Sequence, residues 1–344
     1  MKVFKFGGAS VKDAAGVRNV QNVLEKTGNG PKVIVISAMG KTTNALEIVI
    51  KDYLFDMQIP ESLQAVEDAH FEIVNELFPE TQAPVFSKIK NLFKELKNFL
   101  QHNKSEQYDF VYDQVVCYGE LISTTIVSEY LNSQNIQNNW LDARKFVKTD
   151  SVYRDAGVNW EETQEAIQQN LNTNQINITQ GFIGSDPNNF TTTLGREGSD
   201  YTAAIFAYCL NAENVTIWKD VPGVLNADPR EFKNPELLQQ ISYEEAIELA
   251  FYGASVIHPK TLQPLQQKEI PLFVKPILKP ESEGTKVGKG QHIFPEIPCF
   301  IVKKDQVLIS LSTLDSPSGV RIPVLEHPVL NTVMPFKPAS QASI

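Results

Sequence analysis

Val3-Phe4-Lys5-Phe6 is the stretch that decides the fold class, because it opens a strand–helix–strand unit. A helical pattern follows over Asp13–Lys26, and a second apolar run, Lys-Val-Ile-Val-Ile-Ser, occupies Lys32–Ser37. Short apolar runs of this kind are typical of buried strands. The same alternation continues along the chain, with strands predicted at Ile176–Phe182, Val215–Trp218 and Pro271–Val274 and helices at Tyr201–Leu210 and Tyr243–Phe251. The sequence therefore predicts an α/β fold whose largely parallel central sheet is covered by helices.

Two regions depart from this alternation. Residues 44–105 are rich in Leu, Phe, Glu and Lys at helical spacing, so we expect an all-helical insertion there. After a further predicted strand at Gln306–Ser312, prolines and polar residues predominate. Residues 303–344 are therefore expected to form an atypical tail without a core of its own.

Length, charge and cysteine content narrow the class of protein. The chain has 344 residues, enough for one or two domains, and its net charge of −10 disfavours nucleic acid and anionic membranes as partners. Cys117, Cys209 and Cys299 match no metal or redox spacing, and no signal peptide or transmembrane run is recognisable. These observations predict a cytoplasmic protein without a metal site made of its own side chains.

Thr191–Thr202, which reads Thr-Thr-Thr-Leu-Gly-Arg-Glu-Gly-Ser-Asp-Tyr-Thr, combines several groups that bind charged ligands. Ser199 or Asp200 is the predicted N-cap of the helix that follows. The positive end of that helix attracts anions, and the Arg196 guanidinium can grip a carboxylate through two hydrogen bonds. Asp200 could receive an amine or hold a lysine. The turn therefore offers parts for binding both ends of an amino acid, or a phosphate.

Lys5-Phe6-Gly7-Gly8-Ala9-Ser10 is a second candidate anion site. Its glycines let backbone N–H groups approach a phosphate, and Lys5 adds a positive charge at the strand end. A tight turn with a solvated lysine explains the same residues. Gly40-Lys41-Thr42 is similar to the end of a P-loop, but Val35 stands where that motif needs its first glycine, so the P-loop interpretation is weak. Thr43 and Asn44 could instead face the same pocket as Lys5.

Trp218–Arg230 follows a predicted strand and contains the turn signals Pro222-Gly223 and Asp228-Pro229. Ligands bind in loops at the carboxyl ends of parallel strands, and Lys219 and Arg230 are available for phosphates. A surface loop without a binding role explains the same pattern.

Glu120 and His258 are weaker candidates. Tyr118-Gly119-Glu120 precedes a helical run at Leu121–Leu131, and the helix dipole alone favours a carboxylate in a first helical turn. Glu120 becomes a candidate site residue only if it shares a pocket with Arg196. His258 has no paired Ser, Cys or Asp at a recognisable spacing, so we interpret it as structural.

Together these segments resemble the aspartokinases, members of the amino-acid kinase superfamily. The matching blocks stand in the family's order over residues 1–302, namely Lys5–Gly8, Ser37–Asn44, Gly119-Glu120, Gln180–Gly184, Thr191–Thr202, Asp220–Gly223 with Asp228–Arg230, and Gly253-Ala254 with His258-Pro259. The resemblance implies a three-layer αβα amino-acid kinase fold with an N-terminal lobe for the amino acid and a C-terminal lobe for the nucleotide. It also implies that L-aspartate is phosphorylated by ATP with Mg²⁺ to 4-phospho-L-aspartate, the first step of lysine, threonine and methionine biosynthesis.

The resemblance assigns roles to single residues. Lys5 and Asp200 match catalytic positions, and Lys5 would stabilise the transferring phosphoryl group. Substrate-binding positions are matched by Thr43, Glu120, Arg196 and Ser199, with Arg196 on the carboxylate and Glu120 towards the amino group. Nucleotide-side positions are matched by Lys5, Gly7, Gly8, Ser10, Lys219, Asp220, Leu225, Arg230 and Ser255. A carboxylate acceptor is already ionised at neutral pH and needs no general base, so no catalytic His or Cys is expected.

Several features depart from the family pattern. Glu197 stands where many relatives have Gly, Leu225 where many have Tyr near the adenine, and Ser255 where many have a Lys that reaches the nucleotide phosphates. Lys219 or Lys260 could compensate for that lysine. Aspartokinases usually continue into paired ACT domains. Gln306–Thr313 resembles the opening strand of the first one, but residues 315–344 do not resemble the rest, so we expect a catalytic core without complete ACT domains or amino-acid feedback control.

Two alternatives stay open at this stage. Another kinase of the superfamily would act on glutamate, N-acetylglutamate or UMP, although the combination of Thr43, Glu120 and the Gly195–Asp200 turn favours aspartate. A non-catalytic sensor or an inactive form would bind amino acid or nucleotide without reaction. A homodimer is one option for the assembly of either kind.

Overall fold

The computed structural model describes residues 1–56, 58–80, 83–253, 257–290, 292–303 and 332–336. Its strands, in chain order, are β1 (Lys2–Phe6), β2 (Lys32–Ile36), β3 (Asn138–Leu141), β4 (Ile176–Gln180), β5 (Ile183–Ser185), β6 (Thr191–Thr193), β7 (Asn214–Lys219), β8 (Gln240–Ile241), β9 (Leu272–Pro276), β10 (Thr285–Val287), β11 (Cys299–Lys303) and β12 (Thr332–Phe336). Its α-helices are α1 (Ala14–Thr27), α2 (Thr42–Asp56), α3 (Ser62–Leu77), α4 (Pro84–His102), α5 (Tyr108–Ser133), α6 (Trp160–Asn170), α7 (Gly198–Leu210), α8 (Tyr243–Tyr252) and α9 (Pro259–Gln267).

A largely parallel eight-stranded sheet forms the centre of the fold, in the order β3-β4-β2-β1-β7-β9-β10-β8. Six of its neighbouring pairs are parallel, and only β9 and β10 pair antiparallel. β5 with β6 and β11 with β12 form separate antiparallel pairs. The predicted α/β fold with a largely parallel sheet is therefore confirmed.

The two faces of the sheet bury alternate residues of the same strands. Phe4 and Ile34 point into a core shared with α1 to α5, whereas Val3, Val33 and Val35 belong to a second core shared with α6 to α9. This alternation follows from the two-residue period of a strand. Because both faces are covered, the strands are apolar throughout, which is why they are recognisable as short apolar runs.

Helices α2, α3 and α4 occupy the region where the sequence predicts a helical insertion. The next helix differs from expectation, because α5 has 26 residues and begins at Tyr108 rather than near Leu121. Polar residues such as Asp113 and Gln114 interrupt its apolar pattern, so the spacing of apolar residues does not indicate a helix in its first three turns. The expectation that Glu120 lies in a first helical turn is therefore wrong, since Glu120 lies in the middle of a long buried helix.

The end of the chain is only partly described. The predicted strand at Gln306–Ser312 lies outside the described residues, whereas β12 falls within the predicted tail and pairs with β11. None of the described helices combines the length and the apolar character that crossing a membrane requires.

The burial of the central strands leads to a first prediction, which concerns the stability of the fold. Ile34 on β2 is fully buried, so Ile34→Ala should lower the free energy of unfolding by about 2–5 kcal/mol through lost burial and the cavity it leaves. Ile48→Ala on α2, where the side chain is 54% exposed, is the matched control and should change it by about 0.5 kcal/mol or less. Urea unfolding of both variants measures the difference. Equal midpoints would contradict the placement of β2 at the centre of the core.

Candidate active site

The predicted anion-binding segments converge at one edge of the sheet. β1, β2, β4 and β7 are mutually parallel, so their carboxyl ends lie at the same edge. β1 stands between β2 and β7, and the strand order reverses there, which is the position where open α/β sheets bind ligands. The segments after these strands begin with Gly7, Ser37, Gly181 and Asp220.

A cavity of about 540 Å³ lies at this edge, here called the central cavity. It brings together seven candidate residues from four separate segments of the sequence, namely Lys5, Gly8, Thr43, Glu120, Arg196, Ser199 and Asp200. Asn44 also lines it, as expected if the two segments end adjacent strands. The condition set for Glu120 is met, because Glu120 and Arg196 share this pocket.

Lys5 and Asp200 form a buried ion pair at the floor of the central cavity. The Lys5 Nζ lies 2.6 Å from the Asp200 Oδ1, and the Asp200 side chain is completely buried. The Lys219 Nζ lies 3.8 Å from the other carboxylate oxygen. A buried carboxylate is costly without a compensating charge, so Asp200 holds two ammonium groups near one point.

The glycine loop packs against the turn that follows β2. A Cβ atom on Gly8 would lie 2.7 Å from the Ala38 carbonyl oxygen, so a larger residue would push the two turns apart. The Gly40 N–H donates to the Gly8 carbonyl at 3.0 Å. The Ser10 hydroxyl donates to the Trp218 carbonyl at 3.1 Å and ties the same loop to the end of β7.

Glu120 reaches the central cavity because α5 passes close to the turn after β2. A Cβ atom on Gly119 would lie 3.0 Å from the Ala38 Cβ, so glycine permits this approach. The Glu120 Oε1 accepts a hydrogen bond from the Ala38 N–H at 3.3 Å, and among the described residues its buried Oε2 has no hydrogen-bond partner. Burial raises the pKa of Glu120 to about 8, opposed by the Ala38 N–H and by Lys5. A cationic ligand would supply the missing partner.

The first turn of α7 differs in detail from expectation. The helix begins at Gly198 with Glu197 as its N-cap, so the prediction that Ser199 or Asp200 caps it is wrong. Both residues lie instead in the first turn. Glu197 has a φ of 56°, in the left-handed region that favours glycine, and its side chain makes no capping hydrogen bond. A glycine would adopt this backbone conformation without strain, so the departure from the family pattern expected at Glu197 falls where the backbone favours glycine.

A second cavity of about 450 Å³, here called the edge cavity, opens beside the end of β7. Lys219 and Asp220 line it together with Leu237 and Gly284. Lys219 also lies 3.8 Å from Asp200, which lines the central cavity, so these two residues link the edge cavity to the central cavity.

Other residues predicted on the nucleotide side stand apart from the two cavities. Within the described part of the chain, neither cavity is lined by Gly7, Ser10, Leu225 or Arg230. Leu225 forms a bridge with Leu237 of the edge cavity. Arg230 is exposed and binds Asp228, with its Nη2 at 2.6 Å from the carboxylate. Ser255 lies outside the described residues.

His258 has the structural role proposed for it. It is the N-cap of α9, and its Nδ1 accepts a hydrogen bond from the Lys260 N–H at 3.2 Å. The Lys260 ammonium binds Asp155 at 2.6 Å and the Leu194 carbonyl at 3.2 Å, and it lines neither the central nor the edge cavity.

Tyr112 and Arg154 also line the central cavity, although neither was a candidate from the sequence. Phe182, a third lining residue, lies inside the block Gln180–Gly184 but had no role assigned to it, and its φ of 72° marks a sharp turn after β4. Arg154 lies in an irregular polar loop and Tyr112 in the part of α5 that the pattern did not predict. No local signal identifies Arg154, because only tertiary packing brings its loop to the cavity.

Comparisons with known proteins agree with this geometry. The Amino acid kinase family matches residues 1–276. The chain is 33% identical over 317 residues to lysine-sensitive aspartokinase 3 of Escherichia coli, covering 91% of this chain and 70% of that protein. It is 34% identical over 299 residues to a bifunctional aspartokinase/homoserine dehydrogenase of Buchnera aphidicola, covering 83% of this chain but only 36% of that protein. The chain thus spans little more than a third of this bifunctional relative.

The chain is also similar to a solved structure. Escherichia coli aspartokinase III in complex with aspartate and ADP superposes with a TM-score of 0.76 at 31% sequence identity, over 88% of this chain and 68% of that one.

The burial of Glu120 leads to a prediction about how the stability of the fold depends on pH. Its carboxyl is protonated in the folded protein up to pH about 8 but ionises near pH 4.5 when unfolded, so stability should fall as pH rises through this window. Glu120→Gln removes the penalty and should be more stable than wild type at pH 8.5, by a difference on the order of a few kcal/mol that vanishes near pH 4. Urea unfolding at several pH values measures it. Glu129→Gln on the same helix is the control, and a difference independent of pH would contradict the assignment.

Proposed function

Because the chain belongs to the aspartokinases of the amino acid kinase family, we propose that it phosphorylates the side-chain carboxylate of L-aspartate with ATP, giving 4-phospho-L-aspartate. The observation that carries the proposal is the composition of the central cavity. Lys5 and Arg196 supply positive charge there, and Glu120 supplies a buried carboxylate oxygen without a partner among the described residues. Lys5 and Arg196 match the two carboxylates of aspartate, and the Glu120 carboxyl, which ionises when a cation binds beside it, matches the ammonium group.

The acceptor is oriented by its own charges. Arg196, an exposed guanidinium at the cavity wall, binds the α-carboxylate through paired hydrogen bonds. Glu120 receives the ammonium group. These two contacts direct the side-chain carboxylate towards Lys5, where Thr43 and Ser199 add hydroxyl groups to the cavity wall. Orientation of this kind supplies much of the rate of a reaction between two bound substrates.

The nucleotide occupies the edge cavity in this proposal, with its terminal phosphate towards the glycine loop. Lys219 lines that cavity and faces Asp200, so the two ammonium groups held by Asp200 lie where the transferring phosphoryl group would pass. Phosphoryl transfer depends on positioning and on positive charge against the phosphate oxygens. The aspartate carboxylate is the nucleophile, and no residue has to remove a proton from it.

Magnesium fits the site as an ion that arrives with the nucleotide. The described residues contain no group of three or more His, Cys, Asp or Glu that could hold a metal ion. Mg²⁺ commonly binds through substrate phosphates, water and one or two carboxylates. Asp200 is the carboxylate at the floor of the cavity and Asp220 lines the edge cavity, so these two would contact it, and the ion would neutralise phosphate charge.

Other features expected from the sequence stay predictions. They include the division into a catalytic domain at residues 1–302 and an atypical tail at 303–344, the nucleotide role of Ser10, Leu225, Arg230 and Ser255, a homodimeric assembly and a cytoplasmic location. The same holds for the activity of the whole protein, because the bifunctional relative is much longer than the matched region.

Removal of the Lys5 ammonium tests the proposed chemistry. Wild type should form aspartyl phosphate, detected as its hydroxamate, and Lys5→Ala should lower kcat by about 10²-fold or more because the transferring phosphoryl group loses its main positive charge. Lys2→Ala, which changes an exposed lysine at the other end of β1, is the matched control and should keep wild-type activity. A folded wild type without activity would favour the sensor or inactive form.

The acceptor is tested by comparing aspartate, glutamate and UMP at equal concentration. Aspartate should give a kcat/KM at least about 10-fold above that of glutamate. The side chain of glutamate is one methylene longer, so glutamate cannot contact Arg196, Glu120 and Lys5 at the same time. UMP should not react, because it has no ammonium for Glu120. ADP release measured with a coupled assay compares the three. A preference for glutamate or UMP would identify a different kinase of the family.

A further inference from the structure

Arg154 is a charged residue of the central cavity that lies in none of the matching sequence blocks. It lines the central cavity and also an adjoining outer cavity of about 710 Å³, and Arg196 lines both as well. The two guanidinium groups therefore stand at the boundary between the two cavities. Of these two guanidinium groups, only that of Arg196 has a role in the proposed function.

We propose that Arg154 is a second guanidinium contact for a carboxylate of the acceptor amino acid, and that Asp113 is the positioning residue that holds its loop at the cavity. This inference rests on the proposed function, since it concerns the acceptor bound in the same cavity. Two arginines from different loops, Arg154 and Arg196, would then bind the carboxylates of the acceptor.

The backbone of Arg154 is held by a fully buried carboxylate. The Asp113 Oδ2 accepts hydrogen bonds from the Arg154 N–H at 3.0 Å and from the Thr193 N–H at 2.8 Å. The Asp113 Oδ1 accepts from the Thr193 hydroxyl at 2.7 Å. Arg154 has a φ of 69°, a left-handed conformation that a non-glycine residue adopts only when its surroundings fix it. Asp113 thus ties the loop of Arg154 to β6 and α5.

Neighbouring residues orient the Arg154 side chain but leave its guanidinium group able to bind a ligand. Its Cζ lies 4.6 Å from the ring centroid of Tyr112, which lines the central cavity, and 5.3 Å from that of Tyr108. Its Nη1 lies 3.3 Å from the Asp109 Oδ1, with the two side chains 44% and 61% exposed. Exposed ion pairs of this kind contribute little, so a substrate carboxylate can replace Asp109 at low cost. The aromatic ring then keeps the planar guanidinium facing the cavity.

Steady-state kinetics of the full chain test the role of Arg154. Arg154→Met should raise the KM for aspartate about 10-fold or more, because a charge-assisted contact is lost, and should leave kcat and the KM for ATP within about 2-fold. Arg154→Lys, which keeps the charge without the planar fork, should lie between this variant and wild type. Arg18→Met, which changes an exposed arginine bound to Glu76, is the control and should match wild type.

Double substitution tests the role of Asp113. Asp113→Asn keeps acceptors for the two N–H groups but loses one for the Thr193 hydroxyl, so it should raise the aspartate KM by less than Arg154→Met. In the Arg154→Met background it should add nothing further, because Asp113 acts through Arg154. A residue that merely stabilises the fold would add its own effect in both backgrounds, and that result would overturn the positioning role.

Each outcome separates this inference from the proposed function. An unchanged aspartate KM in Arg154→Met, or a fall in kcat alone, overturns the role of Arg154 while an active wild type leaves the proposed function standing. If wild type forms no aspartyl phosphate, the proposed function fails, and calorimetric binding of aspartate to wild type and to Arg154→Met then decides the role of Arg154. Unchanged affinity there overturns it as well.

Discussion

The buried ion pair between Lys5 and Asp200 is the interaction on which the site depends. It joins the end of β1 to the first turn of α7, two segments separated by almost two hundred residues in the chain. Lys219 approaches the same carboxylate from β7, so three elements meet at one buried group. Loss of either partner would leave a buried charge uncompensated, which costs far more than an exposed ion pair is worth. This one electrostatic interaction therefore determines how the end of β1, the end of β7 and the start of α7 are placed around the central cavity.

Much of the fold is accessible from the sequence because the sheet is buried on both faces. Short apolar runs mark β1, β2, β4, β7 and β9 to within one or two residues, and the turn residues between them place the candidate site at their carboxyl ends. The first half of α5 is not accessible in this way, since Asp113 and Gln114 break its apolar pattern for reasons of tertiary contact. The N-cap of α7 is misplaced for a related reason. Glu197 adopts a left-handed backbone that the residue type itself disfavours.

The candidate site shows the same division. Lys5, Glu120, Arg196 and Asp200 belong to recognisable local motifs, and the structure adds that they share a cavity. Arg154 has no local signal, because its role depends on a hydrogen bond from its backbone to a carboxylate on another element. A site residue within a local motif can be recognised from the sequence. A residue that is held in place by a distant part of the chain, as Arg154 is, can be recognised only in the folded structure.

The protonation of Glu120 has a thermodynamic consequence for ligand binding. In the free protein this carboxyl carries a proton at neutral pH, because burial raises its pKa to about 8. An ammonium group bound beside it favours the ionised form, so substrate binding at neutral pH releases a proton to the solvent. If aspartate is the acceptor, as proposed, its apparent affinity rises with pH and levels off above about 8, and the heat of binding varies with the ionisation enthalpy of the buffer.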